Sequence, residues 1–356
     1  MPGENESSSE SSASFGVFDH TPQTLRELMV SWKSPPFRAN QILEWVYSHG
    51  VTTYDEMTNL PHDLRQRLTR DLPLYESTIA RRRDSNDATT KLLLTWPDGT
   101  ASECVRIPDG TRRTACISTQ VGCPAGCVFC ASGLGGLTRN LSVGQIVEQA
   151  MRTSGVGDRY ERLSNVVFMG VGEPLANYDS TVGALRTINA DWGLGIGARK
   201  ITVSTVGLPQ RMRSLAKEGM QITLALSLHA ATDELRGSII PWAESSTIET
   251  LVEAANYYFE QTGREVTLEC VLLAGVNDSR NCARQLAAVS RRMRSNVNLI
   301  RYNAVRGLPY ESPEDSVVDA FADTLRSSGV NVHIRRSRGL DIDAACGQLR
   351  REGCAE

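Results

Sequence analysis

From Ala115 to Arg336 the chain alternates short apolar runs with amphipathic helical stretches, and no other feature limits its fold as strongly. The apolar runs are 115–118, 165–170, 200–205, 221–227, 265–273 and 296–302, with a last one at 331–336. Helical patterns open near Ser142, Asp179, Thr247 and Asp278, and another covers 312–329. The first begins as a capping box, Ser142-Val-Gly-Gln145. Apolar strands separated by helices pair in parallel and are covered on both faces. Six such units fall short of the eight that close a complete barrel. Periodicity alone therefore leaves a doubly wound sheet and a partial barrel both open.

The stretch before this alternation reads differently. From Thr21 to about Leu72 the pattern is helical, with Thr21 as a cap and Pro22 in the first helical position. Ile42, Trp45 and Val46 recur at helical spacing, and a further helix starts near Leu60; these apolar residues are expected to form the core of a small helical unit. Lys91–Trp96 and Glu103–Ile107 flank an Asp98-Gly99 turn, which makes a β-hairpin. Residues 1–17 are rich in Ser and Glu with little to bury, so disorder is expected there.

Composition narrows the function classes. No apolar run reaches the roughly 18 residues of a membrane-spanning helix. The amino-terminal stretch lacks the apolar core of a signal peptide, so a cytoplasmic protein is expected. In that compartment nine cysteines read as metal ligands or catalytic thiols rather than a disulfide framework. Net charge is −3, although arginine clusters at 81–83, 112–113, 291–294 and 335–338. Each cluster suits a solvated face as well as a nucleic acid, so charge permits RNA binding without arguing for it.

Three of the cysteines stand at Cys123, Cys127 and Cys130, a C-x3-C-x2-C spacing directly after the first apolar strand. A structural zinc needs four ligands and would have to find a distant partner. An iron–sulfur cluster held by three thiolates keeps one iron open for chemistry. In parallel α/β folds the strand ends carry the site. Here they read Met169-Gly-Val-Gly172-Glu173-Pro174, Val203-Ser204-Thr205, Leu226-Ser227-Leu228-His229 and Tyr302-Asn303. Cys104, Cys270 and Cys282 read as packing residues, and Cys354 falls in a frayed tail.

The triplet, with Phe129 before its third cysteine, resembles the signature of radical S-adenosylmethionine (SAM) enzymes. Thr119-Gln-Val-Gly-Cys123, Ala131-Ser-Gly-Leu-Gly-Gly-Leu137 and Asp341-Ile-Asp-Ala-Ala-Cys346-Gly-Gln-Leu are similar to one branch of them, the RlmN family, from about Phe37 to Arg350. The resemblance implies a partial (β/α)6 barrel with a helix-hairpin-helix-like accessory unit. It divides the chain into a tail (1–17), the accessory unit (18–78), a hairpin linker (79–110), the radical SAM core (111–345) and a carboxy-terminal tail (346–356). It implies a [4Fe–4S] cluster on Cys123, Cys127 and Cys130, and two SAM molecules per turnover. Phe129, Gly172, Glu173, Ser204, Ser227, Leu228, His229 and Asn303 would contact SAM.

The implied reaction is methylation of adenine C2 in 23S ribosomal RNA and in transfer RNA. C2 is electron-poor and cannot attack the SAM methyl group itself. Cys346 would carry the methyl group, a radical made from a second SAM would activate it, and Glu103 would accept the C2 proton. Attack by Cys116 on Cys346 would release the RNA and leave a transient disulfide. A cluster reductant and a monomeric state are also expected. Two rivals stay open. A Cfr-like enzyme that methylates adenine C8 shares the same cysteines, and a non-catalytic RNA-binding protein could hold zinc in the cysteine loop.

Overall fold

The computed structural model describes residues 16–156, 160–242 and 246–349. The expected disordered tail lies outside these residues except for its last two positions, and Cys354 lies outside them as well. Val17 is fully buried, so the ordered chain begins earlier than expected.

The helical unit comprises α1 (Pro22–Ser31), α2 (Arg38–Glu44), continued by a π-helical turn at Trp45–His49, and α3 (His62–Asp71). Thr21 caps α1 as its sequence suggests, its hydroxyl accepting the Thr24 N–H at 3.2 Å. The unit does not close a core of its own. Leu25, Met29, Ile42, Val46, Leu64 and Leu68 belong to one apolar cluster with the strands and helices that follow. Tyr47 joins the two parts, edge-on to Phe18 at 6.0 Å and to Trp192 at 6.1 Å.

Four strands follow: β1 (Thr78–Asp84), β2 (Thr90–Thr95), β3 (Ala101–Asp109) and β4 (Arg112–Cys116). They form an antiparallel meander, so the expected hairpin is its middle pair. The arginines at 81–83 lie in β1, a strand the apolar pattern could not announce because most of its residues are exposed. A short pair, β5 (Gln120–Gly122) and β6 (Leu137–Asn140), brackets the cysteine loop.

The remaining strands are β7 (Asn165–Phe168), β8 (Ile201–Thr205), β9 (Thr223–Ser227), β10 (Val266–Leu272), β11 (Ser295–Arg301) and β12 (Val332–Arg335). Between them run α4 (Val143–Ser154), α5 (Tyr178–Asn189), α6 (Pro209–Ala216), α7 (Asp233–Ile239), α8 (Ile248–Thr262), α9 (Arg280–Ser290) and α10 (Asp315–Ser327). The reading of the sequence did not place α6 and α7, which are only 8 and 7 residues long. Ser142 caps α4 with Gln145 as expected. Asp19 reaches across to the same helix end, where its Oδ1 accepts the Gly144 N–H at 2.7 Å.

β4 and β7 to β12 are parallel neighbours in chain order. A doubly wound sheet reverses its strand order at a switch point. Here the order never reverses, which makes the sheet a partial barrel. The antiparallel meander continues the same sheet, for a total of 10 strands, so the expected linker is part of the barrel wall. Among the described residues no helix is long and apolar enough to cross a membrane.

Candidate active site

β4 ends at Cys116, and the chain passes through Ser118 into the cysteine loop, which therefore hangs from the carboxyl end of a parallel strand. Gly122 sits at the base of the loop with φ 78°, where a β-carbon would collide with the Gly136 carbonyl. The Cys123 N–H donates to that carbonyl at 3.1 Å, and the Cys130 N–H donates to the Cys127 carbonyl at 3.1 Å. All three thiols are half-buried and line one cavity. Burial pushes the Cys123 thiol up to about 12 and raises Cys127 and Cys130 as well. Thiols in such a place ionise against a compensating positive centre, which an iron–sulfur cluster supplies. Among the described residues no three Cys, His, Asp or Glu side chains are gathered as the ligands of a single metal ion. Three thiols of one loop on the wall of one cavity fit an iron–sulfur group that keeps one iron open.

The cavity is open to solvent and spans about 930 Å³, part of it bulk solvent. Strand ends supply its polar lining. Glu173 is buried, with Oε1 accepting the Leu175 N–H at 2.9 Å and Oε2 the Val206 N–H at 2.8 Å. Burial pushes its carboxyl up to about 7 against those hydrogen bonds. Gly172 just before it has φ 112°, and a β-carbon would press on Gln120 and Thr119 at 2.7 to 2.9 Å. The hydroxyls of Ser204 and Ser227 lie 3.3 Å apart. His229 has φ 59°, unusual for a residue with a side chain. Its Nδ1 accepts the Val271 N–H at 3.1 Å, which leaves the proton on Nε2, and its ring meets Phe129 edge-on at 5.0 Å. Burial, with Arg236 nearby, pushes this imidazole down to about 3, so it is neutral.

Opposite these strands stands the carboxy-terminal segment. Cys346 is exposed and lines the mouth of the cavity. Its carbonyl accepts from Asn303 Nδ2 at 2.9 Å, and Asn303 Oδ1 accepts from the Ser337 hydroxyl at 2.6 Å. The next residue reaches the cysteine loop, the Gly347 carbonyl accepting the Ala131 N–H at 2.8 Å. From the meander, Lys91 Nζ donates to the Asp343 carbonyl at 3.0 Å, and the Asn86 N–H donates to Asp341 Oδ2 at 3.1 Å. Cys116 is buried beneath this segment among Ile342, Ala344 and Leu349. It shares a second, smaller cavity with Cys346, and burial pushes its thiol up to about 12. The two extra thiols, 230 positions apart by number (346 less 116), thus meet at one place.

Two expected site residues line neither cavity. Leu228 has its side chain in the main core at 0% exposure, so only its backbone could face a ligand. Glu103 is also almost fully buried and forms an ion pair with Lys91 at 2.9 Å rather than lining either cavity. Further residues join the wall without having been expected, among them Glu269, Tyr302 and Arg335. Arg335 lies beside Cys346 and Glu269, whose negative charge when ionised raises the guanidinium further above its ordinary range. A lone carboxylate in Val266-Thr-Leu-Glu-Cys-Val-Leu, a strand buried throughout, was the signal for Glu269.

Comparison with known proteins agrees with this geometry. Residues 16–72 match the model of the ribosomal RNA large subunit methyltransferase N-terminal domain, and residues 117–283 match the radical SAM superfamily. A probable dual-specificity RNA methyltransferase RlmN from Rhodopirellula baltica is 46% identical over 327 residues, covering 92% of this chain and 88% of that protein. Its counterpart from Geobacillus kaustophilus is 44% identical over 335 residues, covering 94% and 92%. The crystal structure of a radical SAM methyltransferase from Sphaerobacter thermophilus superposes with a TM-score of 0.92 at 41% identity, covering 95% of this chain and 100% of that one.

Proposed function

The chain belongs to the RlmN family of radical SAM RNA methyltransferases, and from that footing we propose that it methylates adenine C2 in 23S ribosomal RNA and in transfer RNA, with Cys346 as the methyl carrier. It is an enzyme that uses a [4Fe–4S] cluster and SAM, which removes the non-catalytic zinc reading. The observation that carries the proposal is the meeting of Cys346 with the three-cysteine loop in one cavity and with Cys116 in the next.

When bound, the cluster and SAM supply a methyl group and a radical able to abstract hydrogen. In this reading Cys123, Cys127 and Cys130 hold the cluster. Gly172, Glu173, Ser204, Ser227, His229 and Asn303 surround SAM, with Phe129 packed against His229. Cys346 loses its thiol proton, and its sulfur would take the methyl carbon from SAM, with S-adenosylhomocysteine as the leaving group. After the carried carbon has bonded to C2, Cys116 would attack the Cys346 sulfur. A new S–S bond replaces the bond between Cys346 and the carbon, whose electron pair stays on the carbon and takes up a proton to complete the methyl group, and a cellular thiol reductant restores both thiols. For Glu103 to accept the C2 proton, its pairing with Lys91 must open toward the bound RNA. The domain division follows the same reading, with the helical unit helping to hold RNA. A groove lined by Arg301, Tyr302, Asn303, Arg335 and Arg336 adjoins the cavity and suits a phosphate backbone. We place the enzyme in the cytoplasm.

The test uses native protein, Cys346→Ala and Cys116→Ala, purified without oxygen and incubated with SAM, reductant and an RNA fragment. Iron and sulfide in all three, product from the native protein alone, and RNA trapped covalently on Cys116→Ala are expected. Digestion of the native product to nucleosides separates C2 from C8 methylation. Full activity without Cys346 would end the proposal.

A further inference from the structure

Among the described residues, two polar atoms in the cavity wall are buried without a well-formed hydrogen bond, Glu269 Oε2 and the Tyr302 hydroxyl, the second with only the Val305 backbone near it. Glu269 is 3% exposed and Tyr302 5%. Native interiors rarely leave such groups unpaired, so orphans in the wall of a ligand cavity point to the ligand that completes them.

The fold fixes Glu269 from one side only. In β10 it pairs in register with Ser227 of β9 and Asn298 of β11. Asn298 Nδ2 donates to its Oε1 at 3.1 Å, and Arg335 Nη1 lies 3.7 Å from the same oxygen. Burial raises the carboxyl above its ordinary value, and Arg335 and Asn298, both on the Oε1 side, offset this only in part, so Oε2 is the oxygen left facing the cavity. Glu269 therefore stands between the Ser204–Ser227 hydroxyl pair and the Arg335 side of the cavity where Cys346 lies.

We propose that Glu269, assisted by Tyr302, is a ligand-binding residue of this cavity, with Oε2 accepting a hydrogen bond from a hydroxyl or amine of a bound adenosine. The inference rests on the proposed meeting of SAM and a target adenosine in this space. Both are adenosines, and each offers donors to a carboxylate: the ribose diol of SAM and the exocyclic amine of the target base. The register position beside Ser227 favours the diol.

The test uses the cluster-loaded, full-length protein without oxygen, beside Glu269→Gln and Tyr302→Phe. S-adenosylhomocysteine and its 2′,3′-dideoxy analogue are titrated by calorimetry. An RNA hairpin carrying adenosine or purine riboside at the target position is titrated by fluorescence anisotropy. The native protein should prefer the ribose form by about 10- to 100-fold, the strength of a hydrogen bond to a charged group. Glu269→Gln should bring that ratio close to unity while binding the dideoxy analogue as the native protein does. A ratio that survives, with a lost preference for adenosine over purine riboside, assigns Glu269 to the target base instead. Both preferences unchanged in Glu269→Gln would overturn the proposal. Cluster content and melting temperature check folding; should Glu269→Gln fail to fold, Tyr302→Phe carries the test through a several-fold loss of the same ratio, and an unchanged ratio overturns the proposal. None of these binding readouts depends on which carbon is methylated, so failure here and failure of the C2 reading are told apart.

Discussion

The wall that carries Glu173, Ser204, Ser227 and His229 grows from the ends of parallel strands, whereas the wall that carries Cys346 is a terminal segment pinned from outside the strand ends. On the first wall the backbone ladder sets Ser204 and Ser227, and Glu173 and His229 follow a few residues past strand ends, tied back by hydrogen bonds to neighbouring strands and their ends. On the second wall position comes from single hydrogen bonds between residues far apart in the chain, such as Lys91 to Asp343 and Asn303 to Cys346. A ladder is cooperative and tolerates the loss of one side chain. A clasp made of separate contacts gives way one contact at a time, which suits the proposed reaction, in which the sulfur meets two partners in turn.

The largest expected effect breaks the clasped wall chemically. Cys346→Ala and Cys116→Ala should each bring methylated RNA to the assay background while the strand-end wall still loads iron and sulfide. A loss of cluster in either variant would show that the two walls are not separable. Next comes the buried pair under the clasp. Lys91→Met removes the ammonium paired with the buried Glu103 carboxylate and should cost about 3–5 kcal/mol in denaturant unfolding, most of it regained when Glu103→Leu is added. If that double variant also kept full turnover, Glu103 would not be the proton acceptor.

The strand-end wall has its own signature in pH. Folded His229 binds its proton only below about 3, against 6.5 for an ordinary imidazole. Between those values the unfolded chain binds the extra proton, so this residue makes stability rise with pH by up to about 1.4 kcal/mol per unit and stops contributing a penalty above 6.5. His229→Asn, which suits the left-handed backbone there, should remove that slope in unfolding midpoints compared between about pH 4 and 7. The smallest effect is expected from Asp341→Ala, which frees one tie to Ser85 and Asn86. Turnover should drop a few-fold with affinity for S-adenosylhomocysteine unchanged, and an equal loss of both would mean that the clasp also shapes the strand-end wall.

The same contrast explains what could be read in advance. All seven parallel strands follow from apolar runs, and the strand-end motifs stand on them because that information is local. The RlmN resemblance pointed to Cys116 and Cys346, which no spacing could have paired. Glu269 and Arg335 stayed hidden, since a carboxylate in an apolar strand and an arginine in a basic cluster reveal each other only when β10 to β12 align. Glu103 was picked out by motif, but its pairing with Lys91 follows from the register of β2 against β3 and is not written in either strand. The helical unit was legible in its helices and not in its core, because the partners that complete that core come from residues more than a hundred positions away.

A partial barrel leaves two strands with one unpaired side, and unpaired strand edges invite addition of another chain. β12 is only 4 residues long, which gives an incoming strand little to pair with. β1 is longer, but its register slips between Ile79 and Arg81, and three consecutive arginines follow along the edge. A strand laid alongside would face a kinked template at an edge where Arg82 is engaged by Asp84 and Arg83 by Asp343. The arginine cluster that left RNA binding undecided in the sequence thus has a second physical consequence, ion pairs that occupy the edge of the barrel wall.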